Sequence, residues 1–115
     1  MNILSSTSDI SKEQVIATLK TIFDPEFSVD IYNLGLIYDI NLGNDPKIKM
    51  TLTTPTCPAA GPIIAETKHK LEKFGKFTVE LTFDPPWRPN MISREGLRML
   101  PVQIVDHLDL DSDLD

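Results

Sequence analysis

The chain has 115 residues, 41% of them hydrophobic, which suits one domain with a single modest core. Its net charge is −6, yet no basic patch interleaved with aromatics marks a nucleic-acid surface, and no apolar run approaches the length of a membrane helix. A single cysteine allows no internal disulfide and cannot enclose a metal alone, which points to a reducing, cytoplasmic compartment.

Met1 to Thr7 lack a basic region and a long apolar segment, so they do not read as a secretory signal. Residues 1–10 are taken as an N-terminal extension. Ser11-Lys12-Glu13-Gln14 is a capping-box pattern. Val15, Ile16, Leu19, Ile22 and Phe23 follow at helical spacing, which predicts a first helix over about 11–23 with this stripe in the core. Asp24-Pro25 stops it, because the residue before a proline is pushed out of helical geometry. Residues 24–35 then form a connection rich in acids and turn formers, which Val29, Ile31 and Leu34 pack onto the body. Asp24 either caps local backbone or points into the region of the cysteine.

Leu36, Tyr38, Ile40 and Leu42 alternate with Ile37, Asp39 and Asn41, the pattern of a half-buried strand. Gly43-Asn44-Asp45-Pro46 is a turn. Ile48, Met50 and Leu52 then alternate with Lys47, Lys49, Thr51 and Thr53, so the two strands make an antiparallel hairpin with the Lys/Thr row on the wet face.

The run Thr53-Thr54-Pro55-Thr56-Cys57-Pro58-Ala59-Ala60-Gly61-Pro62 joins that strand to a second helix and holds the lone cysteine. Two helix starts are open. Pro58 at the first helical position makes Cys57 the N-cap; Pro62 there makes Gly61 the N-cap and leaves Cys57 in the loop ahead. Both put the sulfur near free helix N–H groups, a setting that favours thiolate. The plain structural alternative is a small apolar filler in the core. The helix runs to about Phe74, with Ala60, Ile64, Thr67, Leu71 and Phe74 on one face and Glu66–Lys70 and Lys68–Glu72 paired outside. His69 lies among those charges without metal-binding neighbours, and Gly75 ends the helix.

Phe77, Val79, Leu81 and Phe83 alternate with Thr78, Glu80, Thr82 and Asp84, a third strand. A strand–helix–strand step of this length makes it parallel to the second strand through a right-handed crossover. Ligand sites in such units lie beyond the carboxyl ends of the strands. The Cys57 loop leaves one such end and Asp84-Pro85-Pro86-Trp87-Arg88-Pro89 leaves the other. Trp87 either covers the sheet edge or lids the site. Ser93 caps a short third helix over 94–100, with Leu97 and Leu100 inward, and Pro101 ends it.

The order α-β-β-α-β-α predicts an α+β fold, a two-layer α/β sandwich whose small mixed sheet is covered on one face by helices. A fourth, short edge strand fits Val29–Ile31 or Val102–Val105. Residues 11–100 form the domain. Residues 101–115 carry five aspartates and no Lys or Arg. They read as an acidic, disordered tail, with a docking peptide as the alternative for the Leu/Asp alternation of 107–115.

Several chemistries lack their motifs: there is no Walker loop, no Gly-x-Gly-x-x-Gly, no His-Glu-x-x-His and no Cys-x-x-Cys. A Cys/His hydrolase needs an activating histidine. His69 is twelve residues along a helix from Cys57, roughly 18 Å, and His107 lies in the tail. Thiolate chemistry driven by the helix end, or metal ligation shared with a partner, remains.

Asp24-Pro25-Glu26, Ile31-Tyr32-Asn33-Leu34-Gly35-Leu36-Ile37-Tyr38-Asp39-Ile40, Thr53-Thr54-Pro55-Thr56-Cys57-Pro58, Asp84-Pro85-Pro86-Trp87 and Met91-Ile92-Ser93 recur in one order. Together they resemble the SufT/PaaD-like family of iron–sulfur assembly factors over about residues 12–100. Gly61-Pro62 departs from the uninterrupted helix start expected of that family. The resemblance implies a non-enzymatic maturation factor that helps deliver iron–sulfur clusters to client proteins or repair them there. It implies that Cys57 is the functional thiol and transient metal ligand, with Asp24, Glu26 and Thr54 in support and no catalytic residue. The partners implied are the assembly machinery and client apo-proteins, with a homodimer left open. Clusters usually take four protein thiolates. With one cysteine per chain, no cluster is expected to be tightly bound; a transient cluster or iron would share ligands with a second copy, a client or a small thiol. The narrower reading is a PaaD-like helper of a phenylacetyl-CoA oxygenase system, which the lack of cysteines after Cys57 disfavours. Readings from other classes are a small thiol redox protein and a plain interaction module.

Overall fold

A computed structural model describes residues 10–55 and 60–100. The capping box forms as its residue types require: the Ser11 hydroxyl accepts from the Gln14 N–H at 3.1 Å, and Gln14 Oε1 accepts from the Ser11 N–H at 3.1 Å. Helix α1 spans Lys12–Leu19 and buries Val15, Thr18 and Leu19.

The helix does not reach Phe23. It closes in short-range bonds, with the Thr21 N–H donating to the Thr18 carbonyl at 3.0 Å and the Ile22 N–H to that of Leu19 at 3.2 Å. The Thr21 hydroxyl also donates to the Thr18 carbonyl, at 2.6 Å. Side-chain bonding of this kind competes with helix propagation, and Thr21 and Ile22 are both β-branched. The chain turns extended two residues later. Strand β1 (Phe23–Asp24) pairs antiparallel with β2 (Val29–Asp30). Phe23, expected in the core, is 51% exposed, whereas Ile22 is buried.

The segment after β2 is fixed by buried polar bonds. Asp30 accepts from both the backbone N–H and the side-chain amide of Asn33, each at 2.9 Å. Gly35 follows with φ +88°, where a Cβ would lie 2.5 Å from the Met91 carbonyl oxygen, so both conformation and space require glycine. Strand β3 (Ile37–Asn41) and β4 (Lys47–Met50) form the expected antiparallel hairpin. Ile48, Met50 and Leu52 are buried. Thr51, assigned to the wet face, is buried too: its N–H donates to the Leu36 carbonyl at 2.8 Å and its side chain meets the Tyr38 hydroxyl.

Helix α2 spans Ala60–Leu71 and buries Ile63, Thr67 and Leu71. Its inner face is therefore rotated toward Ile63 from the expected Ile64. Ala60 and Gly61 are already helical, so the start with Gly61 as N-cap does not occur. A 3₁₀ turn, Glu72–Phe74, completes the helix, and Gly75 ends it at φ +132°. Glu66 pairs with Lys70 at 3.2 Å as expected, while Glu72 meets His69 at 3.6 Å instead of Lys68.

Strand β5 (Thr78–Leu81) lies parallel to β4, from Lys47 opposite Thr78 to Met50 opposite Leu81. The mixed sheet has the order β3-β4-β5. The apolar row of β5 leaves the core partway: Phe77 is buried, but Leu81 and Phe83 are 40% and 36% exposed. Among the described residues, β5 has a neighbouring strand on one side only. Helix α3 (Arg94–Met99) is capped by Ser93, whose hydroxyl accepts from the Gly96 N–H at 3.0 Å, and Leu100 is buried behind it.

The architecture is the expected α+β arrangement, with one core of Val15, Leu19, Ile48, Met50, Ile63, Leu71 and Leu100 between helices and sheet. The β1–β2 ladder is an addition to the expected element order. The short strand expected at 29–31 exists, but it joins β1 and not the three-stranded sheet. The alternative at Val102–Val105, the extension 1–10 (save Ile10) and the tail 101–115 lie outside the described residues. No helix among the described residues is long and apolar enough to cross a membrane.

Candidate functional site

Because β4 and β5 are adjacent and parallel, the loops leaving their carboxyl ends emerge on one edge, where ligand sites of such units form. The β1–β2 turn joins them there. The Thr53 hydroxyl, three residues past β4, faces Glu26 Oε1 at 3.5 Å, and the rings of Phe27 and Trp87 are 5.7 Å apart at a tilt of 47°. Trp87 is held from behind, its indole N–H donating to the Leu34 carbonyl at 2.7 Å. Tyr38 anchors the same loop through its hydroxyl, which donates to the Pro85 carbonyl at 2.7 Å. Burial raises the Tyr38 pKa above 10.0, opposed by the hydrogen bond with Thr51.

Asp24 is the most constrained group of the cluster. It is fully buried at the end of β1. Its Oδ1 accepts from the N–H groups of Glu26 at 2.7 Å and Phe27 at 3.2 Å, an Asx turn that shapes the hairpin tip. Ser28 completes the tip at φ 60°. The other oxygen, Oδ2, is buried without a hydrogen-bond partner among the described residues. A buried carboxylate oxygen left unpaired is costly, so it is the atom of this cluster suited to receive a donor. The expectation that Asp24 caps local backbone is met by Oδ1, while Oδ2 has no partner among the described residues.

The structure brings Glu26 to Thr53 at the beginning of the cysteine run, with Asp24 bonded to the Glu26 N–H behind it, and Thr54 is half-buried within that run. The expectation for Cys57 itself falls on residues 56–59, which lie outside the described residues. Sequence reasoning missed Thr53, assigned only to the wet face, as the residue that meets Glu26. It also missed the Asp30–Asn33–Ser93 clasp that holds the site's frame: the Ser93 hydroxyl donates to Asn33 Oδ1 at 2.6 Å, and the Ser93 N–H donates to the Asn33 carbonyl at 2.8 Å. The available signal was Asp30 three residues before Asn33, the spacing at which an Asp side chain captures a downstream amide. Among the described residues, no three of His, Cys, Asp or Glu converge as a metal-holding group.

The model of the iron–sulfur cluster assembly protein family matches residues 12–82. An Fe–S protein maturation auxiliary factor of Porphyromonas gingivalis is 39% identical over 76% of this chain and 88% of its own length. The auxiliary factor YitW of Bacillus subtilis is 37% identical over 80% of this chain and 95% of its own. Among solved structures, a conserved hypothetical protein of Thermotoga maritima superposes with a TM-score of 0.67 at 42% identity, covering 84% of this chain and 95% of that one. A domain of unknown function from Bacillus anthracis gives 0.69 at 34% identity, covering 76% and 88%.

Proposed function

The chain belongs to the iron–sulfur cluster assembly protein family, and from that premise we propose that it is a non-catalytic maturation factor that assists delivery of clusters to client proteins or their repair there. Relatives that match most of this chain are named Fe–S protein maturation auxiliary factors, which supports the general role over a helper of one oxygenase. The proposed working group is Cys57, with Asp24, Glu26 and Thr54 in support. The observation that carries this assignment is the buried Oδ2 of Asp24, without a partner among the described residues, on a turn whose Glu26 meets Thr53 at the start of the cysteine run. Cys57 follows Pro55 by two residues, a reach of at most about 7 Å of chain.

A cluster or iron is the cargo in this reading. One thiolate per chain supplies one of the four ligands a cluster usually takes, so the remaining ligands come from a client, a second copy or a small thiol. Assembly machinery and client apo-proteins are the proposed partners. The role is tested by deleting the gene in its native host and assaying several iron–sulfur enzymes beside enzymes without clusters. The reading predicts loss confined to the cluster enzymes and recovery with the wild-type gene. Cluster enzymes that stay fully active in the deletion strain under iron limitation contradict it.

A further inference from the structure

Among the described residues, the edge of β5 away from β4 carries no strand. The Thr78 N–H donates to the Pro46 carbonyl at 3.0 Å and the Thr82 N–H to that of Met50 at 2.9 Å. By the strand period of two, the backbone groups of Phe77, Val79 and Leu81 therefore face the open edge. The side chains sort by the same period. Phe77 is buried and Val79 packs against the core, while Thr78 and Glu80 are exposed on the other face. Leu81 continues the inner row and is 40% exposed. Folds commonly blunt such an edge with proline or with charges that repel an added strand. From Lys76 to Phe83 there is no proline, and the charged residues are Lys76 and Glu80, of opposite sign and four apart. Lys76 makes no ion pair among the described residues. Glu80 meets Lys47 through Oε1 at 3.5 Å, yet its side chain stays 44% exposed.

We propose that this edge pairs antiparallel with the same edge of a second copy, Thr78 opposite Thr78 about a twofold axis. That register sets Lys76 opposite the partner's Glu80 on the outer face and repeats the pair by symmetry. On the inner face it sets Phe77 opposite the partner's Val79, again twice. Phe77 and Val79 are residues whose backbone groups face the edge, so each such pair exchanges two hydrogen bonds. The exposed Leu81 comes opposite the partner's Gly75, which has no side chain to obstruct it. Neighbouring registers lose the charge match. Centring on Val79 puts both charges opposite threonines, and centring on Glu80 puts that carboxylate against its own copy, which is destabilising. The pairing joins the two sheets into one, with the carboxyl ends of the two β5 strands pointing in opposite directions. Leu81 lies three residues from the axis, so the two copies of it are about 20 Å apart along the strands. Each copy thus keeps its own strand-end loops open. On the role proposed above for Cys57, this dimer presents two separate sites, and the other cluster ligands come from a client or a small thiol.

The test is sedimentation equilibrium and residue-resolved amide exchange on the full chain over a wide range of concentration. Wild type is compared with Lys76→Glu, Glu80→Lys and the double variant Lys76→Glu/Glu80→Lys, each checked for folding by urea. Neither readout depends on the role of Cys57. The expected mass rises from one chain to two, and protection of the Phe77 and Val79 amides rises with it. The Thr78 and Thr82 amides, bonded to β4, and the Phe83 amide, beyond the paired stretch, do not change with concentration. Each single variant places like charges opposite one another at both ends of the pairing and weakens the dimer about tenfold, and the double variant restores it. A chain that stays single up to its solubility limit overturns the proposal. So does a dimer that the single variants leave unchanged or the double variant fails to restore. Protection of Val79 that is independent of concentration overturns it as well, because it assigns the edge to the chain's own residues.

Discussion

At Gly96 a Cβ would lie 2.8 Å from the Asn33 carbonyl oxygen, a backbone atom that cannot swing aside. Gly96→Ala therefore pushes α3 off the Asp30–Asn33–Ser93 clasp and costs about 1–3 kcal/mol, the usual range for forced overpacking. Gly61 is the opposite case. It sits in α2 with nothing among the described residues within 4 Å of where a Cβ would lie, so Gly61→Ala gains up to about 1 kcal/mol from helix propensity. Urea unfolding of the two variants checks the opposite signs. Tyr38 makes a pH prediction. Burial raises its hydroxyl above the ordinary 10.0, so the folded chain keeps a proton that the unfolded chain releases. The stability this contributes is full below pH 10 and is lost as pH climbs toward the folded value. Tyr38→Phe removes that alkaline loss, and identical stability slopes above pH 10 in the two proteins would contradict the assignment.

At the scale of elements, the starts of α1 and α3 were legible, as was the end at Gly75, while the end of α1 was not. The capping box at Ser11 and the Ser93 cap of α3 both form, because each rests on a side chain bonding a neighbour three residues away. Ser11→Ala accordingly costs about 1 kcal/mol by thermal or urea unfolding. The end of α1 was not legible from local pattern. Ile22 keeps the helical spacing of the stripe, yet its carbonyl accepts from Ile31 at 2.8 Å, a partner nine residues on that periodicity does not see. The same holds for Thr51, which alternation sends to solvent and which tertiary contact with Tyr38 and Leu36 buries. The parallel step from β4 to β5 was readable from the length and handedness of the crossover alone, and it is what sets the two loops on one edge.

For the whole molecule, the candidate site is a meeting of three loops that no single stretch of sequence describes. Asp24 could be singled out from its place before Pro25, but its division into one bonded oxygen and one without a partner among the described residues depends on the β1–β2 hairpin, which the sequence pattern did not show. Trp87 covers the frame from behind by bonding Leu34, which favours the structural reading of that residue. What the fold then presents at the strand ends is the start of the cysteine run, with Thr53 met by Glu26. Cys57 is proposed to be the working group of an iron–sulfur maturation factor. The most direct measurement restores a deletion strain with either the wild-type gene or Cys57→Ser, the variant first being shown to unfold at wild-type urea concentration. The expected result is that wild type recovers the iron–sulfur enzyme activities and Cys57→Ser does not. Equal recovery by the two genes would contradict it and leave Cys57 a packing residue.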